Sequence, residues 1–210
     1  KQGVLGPSRP SLLVSQAAAW HTLSTFLWQG MLHMLLGYDH LLFLLALLLP
    51  IARGVGSQRS HREVWRSSIW VITAFTVAHS VTLVAATLGW VRLPSGPVEL
   101  VIALSIAISA LLALSPQGRR HQWPLAAGFG LIHGFGFATM LSELLSGWRD
   151  TALALASFNV GVEVAQLLVM AVLIPLLIAA GRASSYRRYG YPVVLLVIAA
   201  MGLWWAFERL

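Results

Sequence analysis

Five side chains of the kinds that bind transition metals lie within long apolar runs of the sequence. They are four histidines and one carboxylate: His33, Asp39, His40, His79 and His133. Imidazole nitrogens together with a carboxylate oxygen suit a borderline divalent ion such as nickel, cobalt or zinc. If the apolar runs cross a membrane, burying each ionisable group costs roughly 2.5–3.5 kcal/mol by insertion scales, which favours a functional role. We predict that the five side chains converge on one metal site.

Three of these residues lie in one short segment, from His33 to His40. Residues seven apart share a face of a continuous helix, so His33 and His40 would point the same way. A turn at Gly37 would instead fold Asp39 toward the histidines. The alternative is a histidine satisfied by a backbone carbonyl near the membrane interface, and it stays open for His33 taken alone. The adjacent Asp-His pair in an apolar run is harder to explain by packing.

His79 and His133 each occur among small residues. Threonines lie one turn before and one turn after His79, so a polar contact between helices is an alternative to metal binding. Glycines surround His133 and allow two helices to approach closely, but they leave the histidine itself unexplained. Phe75-x-x-x-His79 and Phe129-x-x-x-His133 share a pattern, which hints at an internal repeat of the kind common in transporters.

A further polar group, Asn159, Glu163 and Gln166, lies in a later apolar run. Residues spaced at i, i+4 and i+7 share one helix face. This face forms either a network of hydrogen bonds between helices or a polar lining beside the metal site and its pathway. We predict that Glu163 points into the helix bundle rather than toward lipid. Glu99, just after Pro97, is a further candidate for a functional role, but the favourable interaction of a carboxylate with a helix N-terminus is the interpretation we favour for it.

The elements that must position these residues are membrane-spanning helices. The chain has 210 residues, of which 58% are hydrophobic and 10% are charged, whereas soluble domains carry about 25% charged residues. The apolar residues come in blocks long enough for helices of roughly 20 residues, the length that a bilayer requires. We predict an all-α integral membrane protein, a bundle of six to seven transmembrane helices. The absence of cysteine excludes disulfides, thiolate metal sites and cysteine nucleophiles.

The predicted helices form a single transmembrane domain over residues 11–210, after an exposed leader at residues 1–10. The first two are a helix at 11–36 and a short one at 38–52. Because the second is short for a full span, the alternative is that one of the two is interfacial or re-entrant and does not cross the membrane. The others are predicted at 64–90, 97–114, 123–145, 151–180 and 189–207. Because the sequence begins with Lys1 rather than Met, we expect the natural protein to have lost a signal peptide or a larger N-terminal region.

Arginines recur in alternate connections between these helices. The net charge is +7, but its placement in short loops indicates orientation in a membrane and disfavours nucleic acid as a partner. The intervening connections hold only Arg92 and the Arg149–Asp150 pair. We predict that the basic connections are cytoplasmic and that the C-terminus faces outward. The arginines concerned are Arg53, Arg59, Arg62 and Arg66, then Arg119 and Arg120, then Arg182, Arg187 and Arg188.

Four motifs occur in order along the chain: Gly30-x-x-His33-x-x-x-Gly37-Tyr-Asp39-His40-Leu-Leu-Phe-Leu-Leu, Phe-Thr-Val-Ala-His79-Ser, His133-Gly-Phe-Gly-Phe-Ala and Phe158-Asn159-x-Gly-x-Glu163-x-x-Gln166. Together they resemble the HupE/UreJ family, specifically its second branch of bacterial inner-membrane proteins. Met34 stands where the better-studied branch has proline. The resemblance, which covers about residues 20–205, implies a nickel or cobalt permease of a family tied to hydrogenase and urease maturation.

Two functions are compatible with these residues. The first is a permease in which the five predicted ligands form a transient pathway for nickel or cobalt, with the polar face of Asn159, Glu163 and Gln166 beside it. The second is a membrane-embedded zinc hydrolase, in which three protein ligands leave a zinc position for water and Asp39 or Glu163 acts as base. The sequence lacks His-Glu-x-x-His, which disfavours a protease.

The resemblance favours the permease, since the residues alone indicate buried ligands rather than the movement of an ion. A purely structural role for the polar side chains is a third hypothesis. The predicted partners are a metal ion and the lipid bilayer, and the sequence indicates no particular soluble partner.

Overall fold

The structure is a computed structural model that describes residues 10–53, 60–116, 121–145 and 150–210, with side chains described from residue 18 onward and not at residue 139. Residues 1–9 of the predicted leader, and Arg59, Arg119, Arg120 and Arg149, lie outside these ranges. Every regular element within them is helical, so the predicted all-α class is confirmed. The helices are α1 (Pro10–Leu36), α2 (Tyr38–Ala52), α3 (His61–Thr87), α4 (Ser95–Leu114), α5 (Gln122–Gly136), α6 (Ala138–Leu144), α7 (Thr151–Arg182) and α8 (Tyr191–Glu208), and a π-helical turn (Tyr186–Gly190) leads into α8.

Local sequence signals explain where several helices begin. Pro10, predicted as the end of the leader, is instead the first residue of α1, a position where the missing N–H of proline costs little. α3 begins at His61 rather than at the predicted residue 64 because of a capping box. Ser60 accepts the Glu63 N–H at 3.2 Å and the Glu63 carboxylate accepts the Ser60 N–H at 2.7 Å. α7 begins at the predicted residue 151, with Asp150 as its N-terminal cap.

Four of the helical segments are long and apolar enough to cross a bilayer singly: α3, α4, α7, and the π turn together with α8. α1 and α2 meet this requirement only as a pair bent by 69° at their junction, as a broken span or a re-entrant loop. The described residues therefore contain four to five candidate spans, fewer than the six to seven predicted. The difference lies in α2 and α5, which have 15 residues each where a straight span needs about 20.

The segment predicted as one helix at 123–145 is two helices, α5 and α6, separated at Phe137. Glycines at 134 and 136 weaken the helix just before the break, because glycine gives up more backbone entropy than other residues. The Phe137 ring stacks on Phe158 of α7, with ring centroids 5.1 Å apart and planes at 12°. The prediction of a single helix was wrong because this aromatic contact with α7 is not visible in the local sequence.

The exterior of the bundle is apolar, and several polar side chains are buried within its largely apolar interior. His79, His133 and Gln166 are almost completely buried. An apolar exterior of this extent in a single chain is typical of a protein surrounded by lipid. The exposed aliphatic residues run along α3, α4, α7 and α8, and include Val77, Val81, Ile108, Leu111, Leu168, Val172, Leu176, Val193, Val197 and Leu203.

Glycines set the closest approach between helices. On α5, a Cβ at Gly130 would lie 2.6 Å from the Phe75 carbonyl oxygen of α3, and a Cβ at Gly134 would collide with the His79 carbonyl. Because both residue numbers increase together, α3 and α5 run parallel. Gly30 makes a similar backbone contact between α1 and α7. Small residues at such crossings let backbones pack directly, which is a principal source of helix association in membranes.

The basic connections lie at one end of the bundle. The Tyr191 hydroxyl at the start of α8 donates to the Ala113 carbonyl near the end of α4 at 2.7 Å. The Arg53 guanidinium at the end of α2 lies 4.3 Å from the centre of the Tyr191 ring. Because α3, α5 and α8 follow α2, α4 and α7 in the chain, the described helix ends that flank all three arginine-bearing connections lie at this end. Asp39, at the start of α2, is at the opposite end.

Candidate functional site

Four of the five predicted ligands are neighbours inside the bundle, and each comes from a different helix: His33 from α1, His40 from α2, His79 from α3 and His133 from α5. His40 is central, with ring centroids 4.7 Å from His33, 5.3 Å from His133 and 6.0 Å from His79. His33 and His79 are 6.2 Å apart. We refer to these four side chains as the histidine cluster.

The junction between α1 and α2 brings His33 and His40 together. The helix breaks at Gly37, whose N–H donates to the His33 carbonyl at 3.0 Å. A Cβ at Gly37 would lie 2.7 Å from that carbonyl oxygen and 2.8 Å from Nδ1 of His40. Only glycine fits here without displacing one of them. The predicted turn at Gly37 is observed, although the Asp39 carboxylate after it is paired with Arg209.

The cluster contains polar atoms with no hydrogen-bond partner among the described residues. Leaving such a group buried and unpaired costs about 1–3 kcal/mol, so each instance calls for an explanation such as a ligand or a bound water. The unprotonated nitrogen of a neutral imidazole, which carries a free lone pair, is also the atom that binds a metal. The atoms concerned are Nε2 of His33, Nε2 of His40, both ring nitrogens of His79 and Nδ1 of His133.

Ser105 of α4 determines which nitrogen of His133 carries its proton. The Ser105 hydroxyl lies 2.6 Å from the Ile102 carbonyl oxygen, to which it donates its only proton. Nε2 of His133 lies 2.9 Å from the same hydroxyl oxygen, and with the serine proton on the carbonyl we assign Nε2 as the donor. The neutral imidazole is then protonated at Nε2, and the buried Nδ1 carries the free lone pair. A hydrogen bond of this kind orients an imidazole for metal binding.

Aromatic rings surround the cluster and hold its members in place. Phe75 stacks on His79 with centroids 5.8 Å apart, Phe43 lies 5.0 Å from His133, and Phe137 lies 4.0 Å from His33. The α5–α6 break described above is what turns Phe137 toward His33. These rings place apolar surface beside the histidines, and electrostatic interactions are stronger in apolar surroundings.

Asp39, the fifth predicted ligand, occupies a different place. Its Oδ2 lies 3.0 Å from a guanidinium nitrogen of Arg209, which follows α8. Asp39 and Arg209 line a cavity of about 210 Å³ at the end of the bundle opposite the basic connections. We call this cavity the vestibule. Its lining residues are His33, Gly37, Asp39, His40, Glu99, Ile102, His133, Gly136, Phe137 and Arg209.

The vestibule therefore joins the carboxylate to the histidine cluster without bringing all five side chains to one point. No three His, Asp or Glu side chains in the described part of the chain are placed so that they could hold a metal ion together. The rings meet at steep angles, 69° between His33 and His40 and 78° between His40 and His133. The proximity of the four histidines is observed, and their joint coordination of an ion stays a prediction.

The family profile described as HupE/UreJ protein matches residues 9–209, nearly the whole chain. The chain belongs to the HupE/UreJ family. The resemblance noted from the motifs is thus confirmed. No curated protein and no solved structure matches the chain.

In this HupE/UreJ protein the polar face of α7 packs against threonines of α3. The Thr73 hydroxyl donates to Oε1 of Glu163 at 2.8 Å, and the Thr76 hydroxyl lies 2.6 Å from Oε1 of Gln166. Asn159 donates from Nδ2 to a carbonyl one turn earlier at 2.9 Å. Glu163 thus points into the bundle, as predicted from its position on the helix. The interpretation of this face as a hydrogen-bond network between helices holds for Glu163 and Gln166, whereas the hydrogen bond of Asn159 lies within α7.

Sequence reasoning missed two polar residues of the HupE/UreJ site. Ser105 carried a signal, because Ser105 and Ser109 are polar residues one turn apart in an otherwise apolar helix. Arg209 carried none, since an arginine after a terminal apolar block is typical of a membrane interface. Neither contact could be assigned without knowing which helices are adjacent.

Proposed function

We propose that this HupE/UreJ protein is a permease for a divalent transition-metal ion of the nickel or cobalt type, in the bacterial inner membrane. The observation that carries the proposal is the histidine cluster, in which four helices contribute buried rings whose nitrogens lack partners among the described residues. The HupE/UreJ family is associated with nickel and cobalt transport, and imidazole suits both ions.

The arrangement supports a route through the bundle. An ion entering the vestibule meets His33, His40 and His133, which line it, and His79 lies behind them with no exposed surface. Passage from one imidazole to the next replaces one nitrogen ligand with another, so no single site binds too tightly for release.

The route continues along α3 toward the basic end. Thr76 and Thr73 follow His79 at intervals of three residues on one helix face. At ~1.5 Å rise per residue, Thr73 is roughly 9 Å along the helix from His79. The oxygens of Gln166 and Glu163 are hydrogen-bonded to these threonines. Oxygen ligands at this level offer a weaker site for a divalent ion leaving the histidines.

The permease is tested directly with purified protein in liposomes that enclose a fluorophore quenched by nickel. We expect external Ni²⁺ or Co²⁺ to quench it at a saturable rate that depends on the protein, and protein-free liposomes to show only slow leakage. A folded protein that supports no flux of either ion would contradict the proposal. If that protein also retained one tightly held zinc per chain, the zinc hydrolase would become the better hypothesis.

The proposed orientation places the basic connections in the cytoplasm and Arg209 outside, following the excess of positive charge on cytoplasmic loops. Reporter fusions after Arg62 and Arg187 should report a cytoplasmic location. A fusion after Arg92, in the connection between α3 and α4, should report the opposite side and serves as the contrast. The same location for all three fusions would refute this orientation.

A further inference from the structure

We propose that Arg209 is a tethered cation that closes the vestibule by occupying Asp39, and that an entering divalent ion displaces it. This inference rests on the proposed permease function, since it assigns the regulation of entry to the same site. It concerns a residue that none of the motifs includes.

The geometry places Arg209 on the vestibule wall, beside Asp39. One guanidinium nitrogen lies 3.0 Å from Oδ2 of Asp39, and the other donates to the backbone carbonyl of Glu99 at 3.1 Å. These contacts join the end of α8 to the starts of α2 and α4. The same cavity wall includes His40 and His133. The ion pair is partly exposed and shares the vestibule wall with these histidines.

The ion pair is accessible enough to exchange. The side chains of Arg209 and Asp39 are 25% and 26% exposed, and ion pairs with this access to water are screened and only weakly stabilising. A divalent ion carries twice the charge of the guanidinium and interacts twice as strongly with the same carboxylate at equal distance. At the same distance, a divalent ion therefore competes for Asp39 more strongly than a monovalent ion does.

Displacement of Arg209 changes the charge of the opening. With the guanidinium in place, its charge cancels that of Asp39. Once it moves away, the negative charge of Asp39 is uncompensated at the vestibule, which Glu99 also lines. A cleft lined by one sign of charge concentrates ions of the opposite sign and can raise their entry rate by 10-fold or more. The closed state therefore excludes cations that bind Asp39 weakly.

Charged thiol reagents test this inference without any metal transport. The chain contains no cysteine, so Ile102→Cys places a single thiol on the vestibule wall. The measurement is the rate at which that thiol reacts with a cationic and with an anionic methanethiosulfonate. Adding Arg209→Gln should raise the cationic rate roughly tenfold and lower the anionic rate. Arg209→Lys should stay close to the parent.

Two further variants make the test specific. Arg92→Gln removes an exposed arginine at the same end of the bundle, outside the vestibule wall, and should leave both rates unchanged. Asp39→Asn leaves Arg209 without its counter-charge and should act in the opposite direction, slowing the cationic reagent and speeding the anionic one.

The outcomes separate a gate from a structural clamp. If Arg209→Gln raises both rates equally, Arg209 only fills space, and the proposal is wrong. Unchanged rates would also overturn it. If the Arg209→Gln protein fails to fold, the Asp39→Asn variant still tests the proposal, because it is expected to slow the cationic reagent and speed the anionic one. The reaction rates could depend on reagent charge as expected in a protein that supports no nickel flux in liposomes. That result would support the charge gate and contradict the permease, so the two proposals can fail separately.

Discussion

His79→Leu is expected to reduce nickel flux in liposomes by roughly 100-fold or more, since even indirect supports of metal ligands contribute 10–100-fold in affinity. His79 is completely buried and both of its ring nitrogens lack a hydrogen-bond partner among the described residues. Its ring is the deepest member of the histidine cluster, behind the three that line the vestibule. Removing it would therefore interrupt the route rather than weaken the entrance.

The same substitution should leave the thermal stability of the protein unchanged or raised. Leucine replaces two unpaired buried nitrogens by apolar atoms of similar volume, and such a replacement is often neutral or stabilising. The matched control is His61→Leu, an exposed histidine at the start of the same helix, which should retain full flux. Normal flux in a folded His79→Leu protein would remove His79 from the pathway. A large fall in Tm would show instead that the ring is needed for packing.

Gly134→Ala is expected to destabilise the protein by about 1–3 kcal/mol, the range for overpacking a close contact. A Cβ at this position would collide with the Thr82 hydroxyl and with the His79 carbonyl. The hydroxyl can rotate away, but the carbonyl belongs to the backbone of α3, so the two helices must separate. That separation would also move His79 and His133 apart, and flux should fall together with stability.

Gly128→Ala is the control for this change. Gly128 lies on the same helix, but a Cβ there meets nothing within 4 Å. Alanine favours helix more than glycine does, so this variant should be neutral or slightly stabilised. The two variants are compared by thermal unfolding in detergent. Equal stability of the two would mean that the contact between α3 and α5 tolerates expansion, and that glycine at 134 is not required.

The amino-acid sequence alone determined the helical membrane class and identified most of the polar residues of the site. Both are local properties. An apolar block of sufficient length forms a helix in lipid because every backbone group must be bonded within the segment, and an ionisable residue within such a block is costly wherever its helix lies. The start of α7 at residue 151 and the inward direction of Glu163 followed in the same way, from the limits of an apolar block and from helical periodicity.

The tertiary structure decided the contacts between residues far apart in the chain. Asp39 was expected beside the histidines; it lines the vestibule with three of them, and its carboxylate is paired with Arg209, 170 residues away in sequence. The contact of the Ser105 hydroxyl with Nε2 of His133 likewise joins α4 to α5. The stacking of Phe137 on Phe158 joins the break between α5 and α6 to α7. Such pairs depend on which helices are neighbours and at what depth, and glycine contacts such as that of Gly134 with His79 set both. A periodic pattern shows which face of a helix is polar, but the partner of that face is determined only when the helices pack.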